Sequence, residues 1–333
     1  MSMVKLGNTD LEVTELAFGA WAIGGWMWGG NDDSDSLRAL EASIDMGITT
    51  IDTAPVYGFG KSEEIVGDAI QGKRDRVQIL TKYGLRWNTT KGNFYFHSTK
   101  EDGTPVDLHR YARKESIIEE CEDSLRRLKT DYIDLYQIHW PDITTPVEES
   151  MEAVELLIRQ GKVKAAAVSN YPVDDMKEAK KVTTLASNQV PYSMVNRGIE
   201  KDTIPYCIDN KIGILVYSPL QRGLLTGKIS PDHKFNSGDH RPGTPWFRKE
   251  NIVRINQFLD QIRPIARDKG VSLTQLVLRW TLQQPGITCI LAGARNEEQL
   301  SDNAGTMNFF LLEEEMDIIN QYLEKLELNL EGQ

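Results

Sequence analysis

Four side chains in this sequence could share a proton-transfer task. Asp52 closes the β-branched run Ile48-Thr49-Thr50-Ile51. Tyr57 follows an Ala54-Pro55 turn and precedes a glycine-rich loop. Lys82 ends Leu80-Thr81-Lys82, and His139 stands in Gln137-Ile138-His139-Trp140. All four lie at or just past the carboxyl end of an apolar run. Taken singly each is weak: an Asp after a strand is usually a cap or turn residue, and a Tyr there usually packs. A lysine or histidine among apolar neighbours needs a partner to stay there. Together they make one chemistry. Asp52 can pair with Lys82, whose charge would lower the pKa of Tyr57 and let the phenol act as a general acid near neutral pH. His139 can hydrogen-bond a carbonyl oxygen and orient it. The set holds no nucleophile–base pair and no metal, so it suits proton delivery to a carbonyl while something else supplies hydride.

A fold that gathers strand ends is required, and the chain reads as one. Residues 3 to 15 read as a hairpin around Gly7-Asn8-Thr9-Asp10. Eight apolar runs follow: Leu16–Ala20, Ile48–Ile51, Val77–Leu80, Tyr132–Ile138, Val163–Val168, Ala186–Val190, Ile212–Tyr217 and Thr288–Ala292. Amphipathic segments separate them. One carries Leu37, Leu40 and Ile44 and stops at Gly47. One starts near Ser62 as N-cap, with Ile65, Val66 and Ile70 apolar. One opens with the capping box Ser116-Ile117-Ile118-Glu119 and continues through Cys121, Leu125 and Leu128. Further helices are expected over 146 to 160, 272 to 284, 296 to 304 and 313 to 326. Runs that are apolar throughout fit parallel strands covered on both faces. The alternation predicts one domain over residues 1–333: a (β/α)8 TIM barrel with an N-terminal β-hairpin. A doubly wound sheet is the alternative, but no GxGxxG follows the first strand. Two long segments, 83 to 112 and 222 to 250, are expected as loops on the C-terminal face, the first a functional segment or lid.

Composition narrows the partners. The chain has 333 residues, a net charge of -11, 40% hydrophobic and 26% charged residues. That balance argues against nucleic acid and anionic membrane surfaces, and no apolar run approaches a membrane span. Cys121, Cys207 and Cys289 are odd in number, far apart and in apolar surroundings, which suits buried thiols in a reducing cytoplasm. The five histidines form no metal-binding pair. Two glycine motifs fall short of nucleotide fingerprints. Gly58-Phe59-Gly60-Lys61-Ser62-Glu63 ends in Glu, and Gly223-Leu224-Leu225-Thr226-Gly227-Lys228 is one residue short of a P-loop. Gly293-Ala294-Arg295, between the eighth strand and a helix, is the better phosphate site, with Arg295 adding a fork of donors.

These residues resemble the aldo-keto reductase family, from the hairpin to about residue 305. The resemblance rests on Gly19-Ala20-Trp21, Asp52-Thr53-Ala54, Tyr57-Gly58, Ser62-Glu63, Thr81-Lys82, Ser124-Leu125-Arg126-Arg127-Leu128, His139-Trp140-Pro141, Val168-Ser169-Asn170, Tyr217-Ser218-Pro219-Leu220, Gly227-Lys228 and Gly293-Ala294-Arg295. It implies a nicotinamide-dependent oxidoreductase that reduces aldehydes or ketones to alcohols, or the reverse, with Asp52, Tyr57, Lys82 and His139 as the catalytic tetrad. Ser169, Asn170 and Gln189 would hold the nicotinamide carboxamide and Tyr217 would stack on its ring. Ser218, Leu220, Gly223 and Lys228 would meet the pyrophosphate. Gly293, Arg295, Gln299, Asp302 and Asn303 would meet the adenosine end. Trp21, Trp87 and Trp140 would line the substrate pocket with Tyr57 and His139, Trp21 and Asp52 also facing the cofactor. Arg295 stands where many relatives have Ser, which implies a stronger grip on a 2′-phosphate and so NADP(H) over NAD. A small carbonyl or alcohol substrate, a cytoplasmic setting and a monomer or weak homo-oligomer complete the expectation. The alternative within the family is a cofactor-holding channel subunit.

Overall fold

The computed structural model describes residues 2–331. Strands β1 (Met3–Lys5) and β2 (Glu12–Thr14) form the expected antiparallel hairpin. Eight parallel strands then close into a barrel: β3 (Leu16–Gly19), β4 (Thr50–Asp52), β5 (Gln78–Tyr83), β9 (Ile133–Ile138), β10 (Val163–Ser169), β11 (Leu185–Pro191), β12 (Gly213–Tyr217) and β13 (Ile287–Ala292). Neighbours in sequence are neighbours in space, and β13 returns to β3 through Ile290↔Leu16, Leu291↔Ala17 and Ala292↔Phe18. The strands β6 (Leu85–Arg86), β7 (Asn93–Thr99) and β8 (Pro105–Arg110) lie outside the barrel.

The barrel is a packed core and not a pore. Ala17, Leu80, Leu135, Ala165, Ala167, Leu215, Cys289 and Leu291 fill it, and Leu6 and Val13 of the hairpin seal its N-terminal end. The seal depends on Gly7, at φ 60°, because a Cβ there would fall 2.3 Å from the Ala186 carbonyl oxygen. Outward side chains of the same strands, such as Phe18, Ile51, Ile79 and Tyr136, pack on the helices. Both faces are therefore dry, which is why the runs are apolar throughout.

The helices are α1 (Asp33–Asp45), α2 (Lys61–Ala69), α3 (Lys114–Leu128), α4 (Val147–Arg159), α5 (Val173–Val182), α6 (Thr203–Asn210), α7 (Lys249–Asp268), α8 (Leu273–Leu282), α9 (Glu297–Ala304) and α10 (Glu313–Glu324). Two expected caps are corrected. Gly60, not Ser62, caps α2; Ser62 is buried inside the helix, donates to the Ala20 carbonyl and meets the Thr53 hydroxyl. Arg113 precedes α3, so Ser116 makes no capping box with Glu119 and instead donates to Glu120. In both places the polar side chain satisfies a buried tertiary partner, which outranks the local pattern. A full capping box does exist at Ser272 and Gln275, opening α8. The helices α5, α6 and α7 begin at Pro172, Asp202 and Arg248 without a side-chain cap, and α7 contains Pro264, so local signals do not mark them.

The 83 to 112 segment, expected as a long loop, has regular structure of its own. It folds into a three-stranded antiparallel sheet in the order β6-β8-β7. Trp26 Nε1 donates to Ser98 Oγ at 3.0 Å, and Lys61 reaches Glu101 at 3.7 Å, so the sheet is tied to the barrel rim. Among the described residues, no helix is long and apolar enough to cross a membrane.

Candidate active site

The tetrad is assembled by three neighbouring strands. Asp52 ends β4, Lys82 lies near the end of β5, and His139 follows β9; strand register pairs Asp52 with Leu80 and Lys82 with Gln137. Tyr57 is held by the turn after β4. There Gly58, at φ 67°, lets the chain pass so close to Gly24 that a Cβ would fall 2.3 Å from the Gly24 carbonyl oxygen.

Lys82 is buried and donates to Asp52 Oδ2 at 2.7 Å and to the Thr53 carbonyl at 2.9 Å. The other Asp52 oxygen accepts from Gln189 Nε2 at 2.7 Å and from Gln137 Nε2 at 3.3 Å. A carboxylate so supplied pays for its burial with charge-assisted bonds. Behind it, Glu63 accepts from the Thr81 hydroxyl at 2.6 Å and from Arg127 Nε at 2.7 Å. Glu63 and Arg127 thus brace the end of β5, and Ser62 ties the turn after β4 to the Ala20 carbonyl.

The rings of Tyr57 and His139 meet edge to face, with centroids 5.7 Å apart. The expected depression of the Tyr57 pKa is not found. Burial pushes the phenol well above 10.0 and the Asp52 charge adds to it, while Lys82 Nζ stands 5.0 Å from the ring centre and spends its hydrogen bonds on Asp52 and Thr53. Burial and the Lys82 charge hold His139 well below 6.5 and therefore neutral. Lys82 itself is lowered by burial, which the Asp52 charge only partly opposes. The arrangement presents a protonated phenol and a neutral imidazole side by side.

Both face a cavity of about 740 Å³. Its lining includes Trp21, Asp52, Tyr57, His139, Trp140, Ser169, Asn170, Gln189, Tyr217, Ser218, Leu220, Gly223, Lys228, Gly293, Arg295, Gln299, Asp302 and Asn303, which brings together the site residues expected from the sequence, with two exceptions. Lys82 lies beneath the cavity, behind Asp52. Trp87 does not line it: its ring packs on Phe59, 5.6 Å away, and the insertion sheet offers Tyr95 and Phe96 in its place. Trp87 falls just past β6, outside the paired strands, so the sheet does not present it to the cavity.

Several lining groups are already engaged. Asn170, at φ 59°, donates through Nδ2 to the His139 carbonyl at 3.0 Å and accepts from the Tyr217 hydroxyl at 2.8 Å. Gln299 accepts from the Arg295 amide at 3.0 Å. Asp302 accepts from Ser272 Oγ at 2.6 Å, and Asn303 Nδ2 donates to the Gly293 carbonyl at 3.1 Å. The loop after β12 is strained: Ser218, Gln221 and Arg222 have φ of 56°, 46° and 56°. Such non-glycine residues cluster at ligand sites.

Residues 222 to 250 supply groups that sequence spacing does not mark. Arg222, His240 and Arg241 line the cavity with Met27 and Trp28. The His240 amide donates to the Met27 carbonyl at 3.1 Å, and Asp239 pairs with Trp28 in an isolated bridge. Asp239 holds Arg241 through Nε at 3.0 Å and Nη2 at 2.6 Å. Glycines and prolines flag this loop as irregular, but nothing local says that it crosses to residues 27–28.

The donor set fits an anionic dinucleotide. Lys228 and Arg295 line the cavity without an ion-pair partner among the described residues, and Arg295 is weakened as a base by burial first and the nearby Arg241 charge second. Clustered cations of this kind are relieved by an anion.

Residues 15–324 match the Aldo/keto reductase family. The chain is 41% identical over 327 residues to the aldo-keto reductase YhdN of Bacillus subtilis, covering 97% of this chain and 94% of that protein. This protein belongs to the aldo/keto reductase family. It is an oxidoreductase by family, with a nicotinamide cofactor and carbonyl chemistry as the family's common ground. It is also 35% identical over 335 residues to the NADH-specific methylglyoxal reductase of Escherichia coli, covering 98% of this chain and all of that one. Among solved structures, the glycerol dehydrogenase of Gluconobacter oxydans superposes with a TM-score of 0.87 at 38% identity, covering 98% of this chain and 96% of that chain. The aldo/keto reductase barrel, closed strand by strand, is thus both observed and shared.

Proposed function

We propose that this protein reduces aldehydes or ketones to alcohols with NADPH, or runs the reverse with NADP, with Tyr57 as the general acid and base and residues 1–333 working as one domain. The observation that carries the reading is the pairing of a protonated Tyr57 with a neutral His139 at one cavity wall, above the buried Asp52–Lys82 pair. His139 donates to the carbonyl oxygen and fixes its position. Tyr57 delivers its proton to that oxygen as the carbonyl carbon is reduced. Lys82, held by Asp52, keeps a positive charge beneath the phenol and stabilises it once the proton has left. When bound, the nicotinamide supplies the hydride. Ser169, Asn170 and Gln189 hold its carboxamide, Tyr217 its ring, Ser218, Leu220, Gly223 and Lys228 the pyrophosphate, and Arg295, Gln299, Asp302 and Asn303 the adenosine end. The insertion sheet and the 222 to 250 loop keep water out.

The preference for NADP(H) rests on Arg295, whose fork suits a 2′-phosphate. The Escherichia coli relative is NADH-specific, so the preference is this chain's own question. NADPH and NADH oxidation with a panel of aldehydes tests both levels, with Tyr57→Phe run in parallel. The expected result is turnover with NADPH, lost by roughly 10²–10⁴-fold in Tyr57→Phe while NADPH binding remains. Tighter binding of NADH than NADPH would remove the NADP assignment. Tight NADPH binding with no turnover by the native protein would favour a cofactor-holding subunit.

A further inference from the structure

Trp21, Trp28, His240, Arg241 and Arg222 form one continuous wall of the cavity. Its rings are in contact: Trp21 with Trp28 at 5.3 Å, and Trp21 with His240 at 5.2 Å. His240 is neutral there, pushed down to about 4 chiefly by burial. Arg241 is neutralised by Asp239. The Arg222 guanidinium is different: it has no hydrogen-bond or ion-pair partner among the described residues, and burial foremost weakens its hold on its proton. The face of Trp21 lies 5.7 Å away, and Tyr217 and Tyr95 are near enough to act on its charge.

Such a cation is costly to hold in a partly closed cavity, and the backbone works to hold it. Gln221 and Arg222 are consecutive non-glycine residues in the left-handed region. The first is pinned by the Ser193 hydroxyl donating to Gln221 Oε1 at 3.0 Å, and the second by Arg241 Nη1 donating to the Arg222 carbonyl at 3.2 Å. The guanidinium lies towards the Tyr57 end of the cavity, since Trp21, which it faces, in turn stacks on Tyr57 with centroids 6.1 Å apart. The cavity lining has two other cations without an ion-pair partner among the described residues. Lys228 follows Gly227, which packs against Leu273, and Arg295 precedes α9.

We propose that Arg222 anchors a carboxylate on the substrate, so that the site favours carbonyl compounds bearing a carboxylate a few bonds from the reacting carbon. This rests on the reductase reading and deepens it. The guanidinium fork supplies two parallel donors in the geometry a carboxylate accepts, and Trp21 neighbours both the anchor and Tyr57.

The test compares kcat/KM for 4-oxobutanoate and pentanal, with NADPH, in the native protein, Arg222→Lys and Arg222→Gln, alongside NADPH affinity by fluorescence titration. The expected result is a native preference for 4-oxobutanoate. The ratio of the two should fall on the order of 10- to 100-fold in Arg222→Gln and less in Arg222→Lys, with NADPH affinity held within about twofold. An unchanged ratio with weakened NADPH binding would overturn the proposal and give Arg222 to the cofactor. A native preference for pentanal would overturn it as well. Absence of turnover with either aldehyde despite NADPH binding would instead strike the reductase reading, and this inference with it.

Discussion

The Lys82 ammonium stands under the Tyr57 ring, 5.0 Å from its centre, while its hydrogen bonds go to Asp52 and the Thr53 carbonyl. In this geometry the lysine does not pull the phenol into the neutral range; burial and Asp52 push it above 10.0. Reduction uses the protonated phenol, and oxidation the phenolate. A raised pKa therefore keeps the reduction-competent form through neutral pH. Carbonyl reduction should be level between about pH 6 and 9 and decline only on the alkaline side, while alcohol oxidation should climb steadily over that span. His139 sits below 6.5, so no acid limb is expected near that value. Profiles of kcat/KM in both directions check this; a reduction limb centred near pH 7 would contradict it.

Glu120 carries a separate pH signature. Burial raises its carboxyl to about 7 from 4.5, although Arg86, the Gly84 amide and Ser116 favour the charged form. The folded state binds a proton there that the unfolded state has released, so stability falls as pH rises from 4.5 and levels off above about 7. The shift corresponds to about 3 kcal/mol at full ionisation, an order-of-magnitude figure. Glu120→Gln should match the native protein in thermal midpoint near pH 5 and exceed it near pH 8. Equal midpoints at both values would show that Glu120 ionises freely in the fold.

Gly58 fixes the reach of Tyr57. An alanine at that position meets both a left-handed φ of 67° and the Gly24 carbonyl at 2.3 Å, whereas Gly72, at φ 71°, has open space around it. Gly72→Ala should cost only the backbone penalty, roughly 1–2 kcal/mol. Gly58→Ala should cost more and should also displace the phenol, lowering kcat/KM on the order of 10²-fold, since displacements of about 1 Å have that effect. Denaturant unfolding and aldehyde kinetics on the two variants separate strain from displacement. Equal behaviour of the pair would mean the Gly24 contact relaxes without moving Tyr57.

Much of the barrel was legible because parallel strands dry on both faces must be apolar throughout, and the eight expected runs all coincide with or overlap β3, β4, β5 and β9 to β13. The tetrad was legible for a related reason: Asp52, Lys82 and His139 each interrupt or end such a run, where only a partner can keep them. The helix starts at Ser62 and Ser116 were misread because a hydroxyl has two uses, and the Ala20 carbonyl and Glu120 carboxylate that claim these side chains are distant or differently spaced. Trp87 was misassigned because it falls just past β6, where packing on Phe59 sets its direction and local sequence does not.

The sequence by itself determined the alternation of strands and helices, the strand-end placement of Asp52, Lys82 and His139, and the family resemblance that these carry. Those features follow from local periodicity and from the rarity of charge in apolar runs. The tertiary structure decided the proton states, since burial of Tyr57 and His139 is a property of the closed site and not of any window of sequence. It also decided which residues complete the cavity wall. Arg222, His240 and Arg241 reach Trp21 and Trp28 across some two hundred residues of chain, and only barrel closure, joining the last strand to the first, brings those loops to one rim.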